Sequence, residues 1–211
     1  MVGRLIIISS PSGGGKGTLI REVRAVMPDL AYSVSFTTRA RRFGEEDGRE
    51  YHFIEREHFE RLIRANEFLE YAEVHGNLYG TSLAASQVQF AAGRDLIVEV
   101  DVQGAVQIME KPGIDCISIF ILPPSFEVLR ARLTARGTEG DAELSTRLKN
   151  AFNEVLHYPK FKYVVVNEDV RTATNQITSI ITAERQLQNR QTEAVQAILD
   201  SFDAVKHQYW T

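Results

Sequence analysis

The chain has 211 residues, of which 44% are hydrophobic and 25% are charged, and its formal net charge is −4. This composition is typical of a globular protein with one ordinary domain or one core with inserted subdomains. The negative charge argues against a nucleic-acid partner bound by general basicity, and the single cysteine, Cys116, excludes an intrachain disulfide. No apolar run reaches the roughly 20 residues that span a bilayer, and the run after Arg4 is too short for a signal peptide. We therefore expect no nucleic-acid or membrane partner and a cytoplasmic location.

The first predicted elements are a buried strand at residues 5–8 and a helix at residues 19–26. Between them lies a glycine-rich segment, which reads Ser9-Ser10-Pro11-Ser12-Gly13-Gly14-Gly15-Lys16-Gly17-Thr18. Glycines let successive backbone N–H groups approach anionic oxygens, and the helix N-terminus adds partial positive charge. Lys16 can reach the β- and γ-phosphates of a nucleotide as a point charge. The segment therefore predicts a phosphate-binding loop, and a glycine-rich turn without a ligand is the alternative.

The loop departs from the pattern G-x-x-x-x-G-K-[ST] at two positions. Ser10 replaces the first glycine, and Gly17 follows the lysine where a serine or threonine would bind Mg²⁺. The hydroxyl comes one residue later, at Thr18. The sequence thus weakens the expectation of a direct hydroxyl ligand to the metal without weakening the expectation of phosphate binding.

Further along the chain, predicted strands alternate with predicted helices. Strands are predicted at 31–36, 50–54, 68–75, 95–100, 115–122 and 163–166. Helices are predicted at 56–66, 82–92, 103–110, 125–135 and 141–156, a turn at 76–80, and mostly helix over 171–206. Long apolar strands that alternate with helices are typical of a parallel α/β sheet with helices on both faces. The short strands and polar loops of residues 34–90 depart from this pattern and predict a small insertion beside the core.

Several polar segments follow strands of the predicted sheet. Ligands of open α/β sheets bind beyond the carboxyl ends of the strands. Residues 13–18, Asp101 and residues 130–136 all follow strands on that edge. We therefore expect them to face one cleft.

A second anion site is predicted from a cluster of arginines and tyrosines. Guanidinium groups bind phosphate oxygens in pairs, and phenolic hydroxyls donate additional hydrogen bonds. The residues concerned are Arg39, Arg41, Arg42, Tyr51 and Tyr79. The alternative is a solvated basic loop that the acidic residues at 45–47 neutralise.

Two further clusters are candidates for the site. Glu70, Glu99 and Asp101 could accept the adjacent N1–H and N2–H₂ donors of guanine, whereas the alternative is an exposed Glu70 and an ion-paired Asp101. Arginines on a mobile flap can close over a transferring phosphoryl group, although ordinary surface arginines are the alternative. These arginines are Arg132, Arg136 and Arg147.

Taken in order, the motifs of this chain closely resemble those of bacterial-type guanylate kinases over about residues 4–190. The motifs are Ser10-Pro11-Ser12-Gly13-x-Gly15-Lys16, Ser33-Val34-Ser35-x-Thr37-Thr38-Arg39-x-x-Arg42-x-Gly44-Glu45, Gly48-x-x-Tyr51-x-Phe53, Phe68-Leu69-Glu70-x-Ala72, Gly76-Asn77-x-Tyr79-Gly80-Thr81, Asp101-x-Gln103-Gly104, Phe120-Ile121-Leu122-Pro123-Pro124-Ser125 and Val166-Asn167. The resemblance implies a P-loop NTPase-type sheet formed by residues 1–33, 91–125 and 158–211. It also implies a GMP-binding insertion at 34–90 and a helical lid at 126–157.

The resemblance implies transfer of the γ-phosphoryl group of ATP to GMP with Mg²⁺, and it assigns a role to each motif residue. The guanine would be read by Ser35, Glu70, Thr81 and Asp101, with Glu99 beside them. The GMP phosphate would be held by Arg39, Arg42, Tyr51 and Tyr79. The ATP phosphates would be cradled by residues 12–18, within the loop that starts at Ser10 and Pro11, with Asn167 near the adenine. Arg132, Arg136 and Arg147 would approach from the lid.

Two positions differ from the commonest pattern of that family. Gly17 stands where serine or threonine is usual, and Glu99 stands where aspartate is common. Because the loop also resembles that of adenylate kinases, we expect the metal to be held by the phosphates and water, with a contribution from Thr18. The alternatives are another nucleoside-monophosphate kinase and a non-catalytic module that binds phosphorylated peptides.

The end of the chain carries a helical apolar stripe. Ala194, Val195, Ile198, Leu199, Phe202 and Val205 recur at helical spacing. We expect the stripe to pack against the core, and a homodimer contact is the alternative.

Overall fold

The computed structural model describes residues 3–74, 76–135 and 141–209, except for the side chains of residues 141–143 and 207–209. The strands are β1 (Leu5–Ser9), β2 (Ala31–Tyr32), β3 (Phe36–Thr37), β4 (His52–Phe53), β5 (Phe68–Val74), β6 (Asn77–Ser82), β7 (Leu96–Glu99), β8 (Cys116–Leu122) and β9 (Tyr163–Val166). The helices are α1 (Lys16–Val26), α2 (Arg56–Arg64), α3 (Leu83–Ala91), α4 (Val102–Met109), α5 (Phe126–Thr134), α6 (Asp141–Val155), α7 (Val170–Arg185) and α8 (Thr192–Tyr209). Short 3₁₀ turns lie at Tyr158–Lys160 and Gln188–Arg190.

The central sheet has five parallel strands in the order β2-β7-β1-β8-β9. Because successive side chains of a strand point to opposite faces, Ile6 and Ile8 of β1 enter the core that β1 forms with α1 and α7. Leu5 and Ile7 enter the opposite core, where α4 packs. All four side chains are at most 3% exposed. The prediction of a parallel sheet with helices on both faces is confirmed.

A second sheet, in the order β4-β3-β6-β5, lies within residues 36–82. It has its own small core, in which the Phe59 ring of α2 stacks on Phe68 of β5 at 4.5 Å between ring centroids. Antiparallel pairing joins β6 to both β3 and β5. This sheet lies, together with α2 and most of α3, within residues 34–90, the segment that the sequence predicts as an insertion.

The prediction of one strand over residues 31–36 is wrong. Residues 31–32 pair with β7 in the central sheet, whereas residues 36–37 pair with β4 and β6 in the second sheet. The amide of Ser33 still donates to the carbonyl of Ile97, but the carbonyl of Ser35 already accepts from the amide of His52. The chain therefore changes sheets within the alternating segment, and this crossover places Ser35 between the two sheets.

The prediction of a turn over residues 76–80 is also wrong. Gly76, with φ of +77°, belongs to the turn, but β6 starts at Asn77 and contains Gly80. A Cβ atom at Gly80 would lie 2.9 Å from the rings of both Phe59 and Phe68. This glycine is therefore required by the close approach of two aromatic rings and not by a turn conformation.

The expectation that the C-terminal stripe packs against the core is wrong. Val195, Ile198, Leu199, Phe202 and Val205 of α8 are between 38% and 64% exposed. Within the described residues, no helix is long and apolar enough to cross a membrane.

Candidate active site

The glycine-rich segment forms a tight loop between β1 and α1. Gly13 and Gly15 have φ of +85° and +90°, a conformation that other residues adopt only with strain. The amide of Gly14 donates to the carbonyl of Pro11 at 2.9 Å, and the Ser10 hydroxyl donates to the same carbonyl at 3.0 Å. Gly15 is the N-cap of α1 and has no side chain with which to cap the first turn, so the amides of that turn are available to an anion.

Lys16 lies at the carboxyl end of the neighbouring strand β7. Its Nζ donates to the carbonyl of Val100 at 3.0 Å and lies 4.0 Å from Oε1 of Glu99. The other carboxylate oxygen of Glu99 accepts from the hydroxyl of Tyr32 at 3.1 Å. The ammonium group is therefore held over the loop by the sheet edge, which is where a β- or γ-phosphate would need it.

Asn167 and Arg132 support the loop from the side opposite Lys16. Nδ2 of Asn167 donates to the carbonyl of Gly14 at 3.0 Å, and Arg132 donates to the backbone carbonyl of Asn167 at 2.9 Å. The second terminal nitrogen of Arg132 is buried and has no hydrogen-bond partner among the described atoms. It lies 3.8 Å from where a Cβ of Gly15 would be. A buried guanidinium nitrogen without an acceptor, beside a loop with available amides, fits an anionic ligand.

Helix α6 contributes two side chains to the same loop. Arg147 donates to the hydroxyl of Ser12 at 3.2 Å, and a carboxylate oxygen of Glu154 accepts from the amide of Ser12 at 2.8 Å. Glu154 was not predicted from the sequence, although it follows Arg147 by seven residues and thus lies two turns along the same helix face. Tyr32 was not predicted either, because neither residue belongs to a recognisable motif.

A cavity of about 200 Å³ lies beside the loop, between the carboxyl edge of the central sheet and the second sheet. Its lining combines Lys16 with most of the predicted acceptor-site residues, namely Ser35, Tyr51, Glu70, Tyr79, Glu99 and Asp101. The structure thus brings the lysine of the glycine-rich loop and a separate set of polar side chains to one cleft. Of the segments predicted to meet at the strand ends, Lys16 and Asp101 line this cavity, whereas residues 130–135 do not.

Glu70 is the most perturbed carboxylate of the cavity. It is 5% exposed, and its Oε1 accepts from the hydroxyl of Thr81 at 2.7 Å. Burial raises the pKa of Glu70 to about 7, and the charge of Asp101 adds to this shift, whereas the hydrogen bond from Thr81 opposes it. A Cβ at Gly104 would lie 2.5 Å from Oε2 of Glu70, so the glycine leaves the room that this carboxylate occupies. The alternative of an exposed Glu70 is therefore wrong.

Asp101 has a structural partner in addition to its place in the cavity. It is the N-cap of α4, and its Oδ1 accepts from the amide of Gly104 at 2.7 Å. No ion pair of Asp101 occurs within the described parts of the chain. The alternative in which Asp101 forms an ion pair is therefore wrong, since the hydrogen bond of its carboxylate is to the Gly104 amide.

Arg39 borders the cavity through the Tyr51 ring, whose centroid lies 5.4 Å from the guanidinium carbon. Its two terminal nitrogens donate to the two oxygens of Glu45 at 3.0 and 2.8 Å. This pairing holds the pKa of Glu45 below its usual range. Burial raises the pKa of Tyr51 to about 12, so its hydroxyl keeps its proton and can donate. Tyr79 contacts Tyr51 edge-on at 5.7 Å between ring centroids.

Some predicted site residues are not brought to the cleft. The side chains of Arg41 and Arg42 are exposed, and the contact of Arg42 with Glu45 uses its backbone amide. Thr18 is exposed on the first turn of α1. Arg136 lies outside the described residues.

The donor set of the site fits Mg²⁺ bound mainly through phosphates. Within residues 3–74, 76–135 and 141–209, no cluster of three or more His, Cys, Asp or Glu side chains could hold a metal alone. Glu99 places one carboxylate beside Lys16, and Mg²⁺ in phosphoryl-transfer sites takes one or two carboxylates together with substrate oxygens and water. Glu99 could therefore supply one ligand to a metal ion that enters the site bound to the phosphates of a nucleotide.

A parallel sheet with a glycine-rich loop, a lysine at the sheet edge, arginines on α5 and α6 and a polar cavity beside the loop is typical of a P-loop nucleotide kinase. The family model described as guanylate kinase matches residues 2–184 of the chain. The chain is 46% identical over 201 residues to the guanylate kinase of Aliivibrio fischeri, which covers 94% of this chain and 97% of that protein. It is 44% identical to the guanylate kinase of Geobacter sulfurreducens, with coverage of 93% and 96%.

A solved structure leads to the same family. The guanylate kinase of Anaplasma phagocytophilum superposes with a TM-score of 0.75 and 36% identity, over 90% of this chain and 89% of that one. The chain therefore belongs to the guanylate kinase family. Guanylate kinases phosphorylate GMP to GDP with ATP.

Proposed function

We propose that this chain transfers the γ-phosphoryl group of ATP to the phosphate of GMP at the cleft described above, with Mg²⁺ as the metal. The observation that carries the proposal is that Lys16 lines the same cavity as Glu70, Tyr51 and Tyr79. A phosphate bound at the loop and a phosphate bound near the tyrosines would then lie within reach of one lysine. The core, the insertion at 34–90 and the lid at 126–157 are proposed as the three functional parts of the chain.

The guanine of GMP would be read by Ser35, Glu70, Thr81 and Asp101, with Glu99 at the edge of the cavity. Guanine presents N1–H and N2–H₂ side by side, and a carboxylate can accept both. Glu70 is buried and aligned by Thr81, so a base that satisfies its oxygens would offset the cost of its burial. A base without these donors would leave the carboxylate unsatisfied, which is the physical basis for acceptor choice.

The GMP phosphate would be held by Arg39, Arg42, Tyr51 and Tyr79. Both terminal nitrogens of Arg39 donate to Glu45, so the phosphate would either share the guanidinium group with this carboxylate or displace the carboxylate from it. Arg42 is exposed and would move toward the cavity as residues 34–90 close. Both steps require motion of the insertion toward the core, which would also exclude water from the transfer.

The ATP phosphates would be cradled by residues 10–18, with Asn167 near the adenine and Arg132, Arg136 and Arg147 at the γ-phosphate. The unsatisfied nitrogen of Arg132 beside Gly15 supports this role. Lys16 and the arginines would stabilise the charge that develops on the equatorial oxygens, and Mg²⁺ held through the phosphates and water would add to this stabilisation. A phosphate nucleophile needs no general base, so the protein supplies alignment and charge.

The proposal is tested by a coupled assay of ADP formation with ATP and each nucleoside monophosphate in turn. GMP is expected to be the preferred acceptor, and Lys16→Met is expected to abolish turnover while GMP binding persists. Higher activity with AMP than with GMP would refute the guanine assignment. An inactive protein that still bound a phosphorylated peptide would instead support the non-catalytic module.

We also propose that two copies of the chain associate through α8, and that the enzyme works in the cytoplasm, where ATP and GMP are available. Val195, Ile198, Phe202 and Val205 follow the 3-4-3 spacing of a helix–helix seam and are all exposed. The polar face of α8 carries Asp200 and Asp203 and lacks the Lys/Arg-rich character of membrane-surface helices.

A further inference from the structure

Helix α6 contacts the phosphate-binding loop at one residue with two side chains of opposite charge. The Ser12 hydroxyl accepts from Arg147 at 3.2 Å, and the Ser12 amide donates to Glu154 at 2.8 Å. The two side chains are seven residues apart, so both project from one face of the helix. Ser12 is thus held at its side chain and at its backbone by the same element.

The same helix is also fixed to the other lid helix. Leu144, Leu148 and Ala151 of α6 pack with Leu129 and Leu133 of α5, and Ala151 is 1% exposed. The loop packs directly on α5, since a Cβ at Gly13 would lie 3.0 Å from the Leu133 side chain. The loop, α5 and α6 therefore form one packed unit, in which Glu154 provides the charged hydrogen bond to the loop backbone.

The carboxylate of Glu154 places negative charge beside a loop that is proposed to bind anionic phosphates, and this charge alone would weaken phosphate binding. Its presence there therefore indicates a separate structural role. The proposed kinase reaction needs the Arg147 guanidinium at a fixed distance from the loop, since a displacement of about 1 Å can lower a rate about 100-fold. The contact of Arg147 with Ser12 uses the Ser12 hydroxyl, which can rotate and therefore does not by itself fix the distance between α6 and the loop backbone. The hydrogen bond from the Ser12 amide to Glu154 fixes the backbone of that residue to the helix that carries Arg147.

We propose that Glu154 is a positioning residue of the phosphoryl-transfer site. By accepting the Ser12 amide, it locks the phosphate-binding loop onto α6 and so presents Arg147 to the γ-phosphate. Glu154 contacts neither substrate in this proposal and acts through Ser12 and Arg147. The inference rests on the proposed function, because it assigns Arg147 to the transferring group.

The test is a double-mutant cycle of Glu154→Ala and Arg147→Ala, with Lys149→Ala, an exposed residue of the same helix, as the control. Glu154→Ala is expected to lower kcat by about 10-fold to 100-fold and to leave the Kd of ADP, which has no γ-phosphate, within about twofold. In the Arg147→Ala background the same change is expected to cost less than about threefold, because the residue through which it acts is already absent. Glu154→Gln keeps an oxygen acceptor and is expected to recover most of kcat.

Three outcomes would overturn the proposal. If the reduction of kcat in the double variant equals the product of the reductions in the two single variants, Glu154 acts independently of Arg147. Tighter binding of ATP to Glu154→Ala would show that the carboxylate competes with the nucleotide. A kcat for Glu154→Gln as low as that of Glu154→Ala, with an unchanged Tm, would show that the amide hydrogen bond is not the relevant interaction. Absence of GDP formation by the unmodified chain would refute the proposed function itself and is read in a separate experiment.

Discussion

A Cβ atom at position 17 would lie 3.7 Å from Oε1 of Glu99. Gly17 and Glu99 are the two positions at which the resemblance to guanylate kinases led us to expect other residues, and the structure places them close together. The longer carboxylate of Glu99 reaches toward the first turn of α1, where a serine or threonine side chain would otherwise stand. The absence of a hydroxyl at Gly17 and the presence of a glutamate at position 99 therefore affect the same place in the structure.

Gly17→Ser is expected to fold and to lower the Mg²⁺ requirement. A contact of 3.7 Å is ordinary van der Waals contact, and Gly17 is not among the residues with positive φ. The new hydroxyl would add a metal ligand beside the one that Glu99 offers. The measurement is the initial rate against free Mg²⁺ at saturating ATP and GMP.

Gly15→Ser is the matched control for that variant. The residue has φ of +90°, and its Cβ would lie 2.3 Å from Nδ2 of Asn167, so we expect loss of the loop conformation and of activity at any Mg²⁺ concentration. If Gly17→Ser instead needs the same Mg²⁺ as the unmodified chain, the metal does not depend on a protein hydroxyl at this position.

Glu70 is expected to make stability depend on pH. Its pKa is raised from 4.5 to about 7 by burial, so the folded state binds more protons than the unfolded state between these values. The free energy of unfolding should therefore fall as pH rises through this window, by an amount on the order of 3 kcal/mol. Glu70→Gln should remove this decline, which denaturant titrations at pH 4.5, 6 and 7.5 can measure. Parallel curves for both proteins would contradict the assignment.

The same group is expected to control GMP recognition. A guanine that donates to Glu70 favours the ionised carboxylate, so kcat/KM for GMP should rise with pH through an apparent pKa near 7. The phosphate of GMP also titrates in this region, and Glu70→Gln separates the two contributions because it keeps the phosphate. A rise of the same size in Glu70→Gln would assign the dependence to the phosphate.

Arg39→Lys is expected to raise KM for GMP by about 10-fold or more, although the charge is conserved. The guanidinium of Arg39 binds both oxygens of Glu45, and only a planar fork can exchange this carboxylate for two phosphate oxygens. Steady-state kinetics with GMP measures the effect. Arg41→Lys, two residues away and exposed, is the control and should leave KM unchanged. Equal effects of the two variants would indicate a diffuse basic loop.

Apolar runs were sufficient to predict four of the five strands of the central sheet, whereas β2 was predicted only as part of a longer strand over residues 31–36. The predicted runs at 5–8, 95–100, 115–122 and 163–166 are mainly apolar, alternate with helices and coincide with β1, β7, β8 and β9. The glycine-rich loop between β1 and α1 was predictable for a similar reason, since its glycines and Lys16 are adjacent in sequence. Both features depend on local signals.

Features that depend on distant partners were not predictable from the sequence. The segment 31–36 keeps its alternation although its pairing strand changes from β7 to β6, and Gly80 resembles a turn residue until the two rings that enclose it are known. Glu154 is one of many helical glutamates, and only the contact with Ser12 across 142 residues of sequence distinguishes it. Side-chain contacts of this kind follow from packing and leave no local pattern.

Phe202→Asp tests whether α8 mediates self-association. Phe202 is 64% exposed and is the most exposed large apolar side chain of the stripe, and an 18-residue helix of about 27 Å can form a seam with a second copy. A charge at this position would be buried without a partner in such a dimer, so we expect the molar mass from size-exclusion chromatography with light scattering to halve. Thr192→Asp, at the start of the same helix, adds the same charge outside the stripe and should leave the mass unchanged. A monomer in both the unmodified chain and Phe202→Asp would show that the stripe does not join two copies.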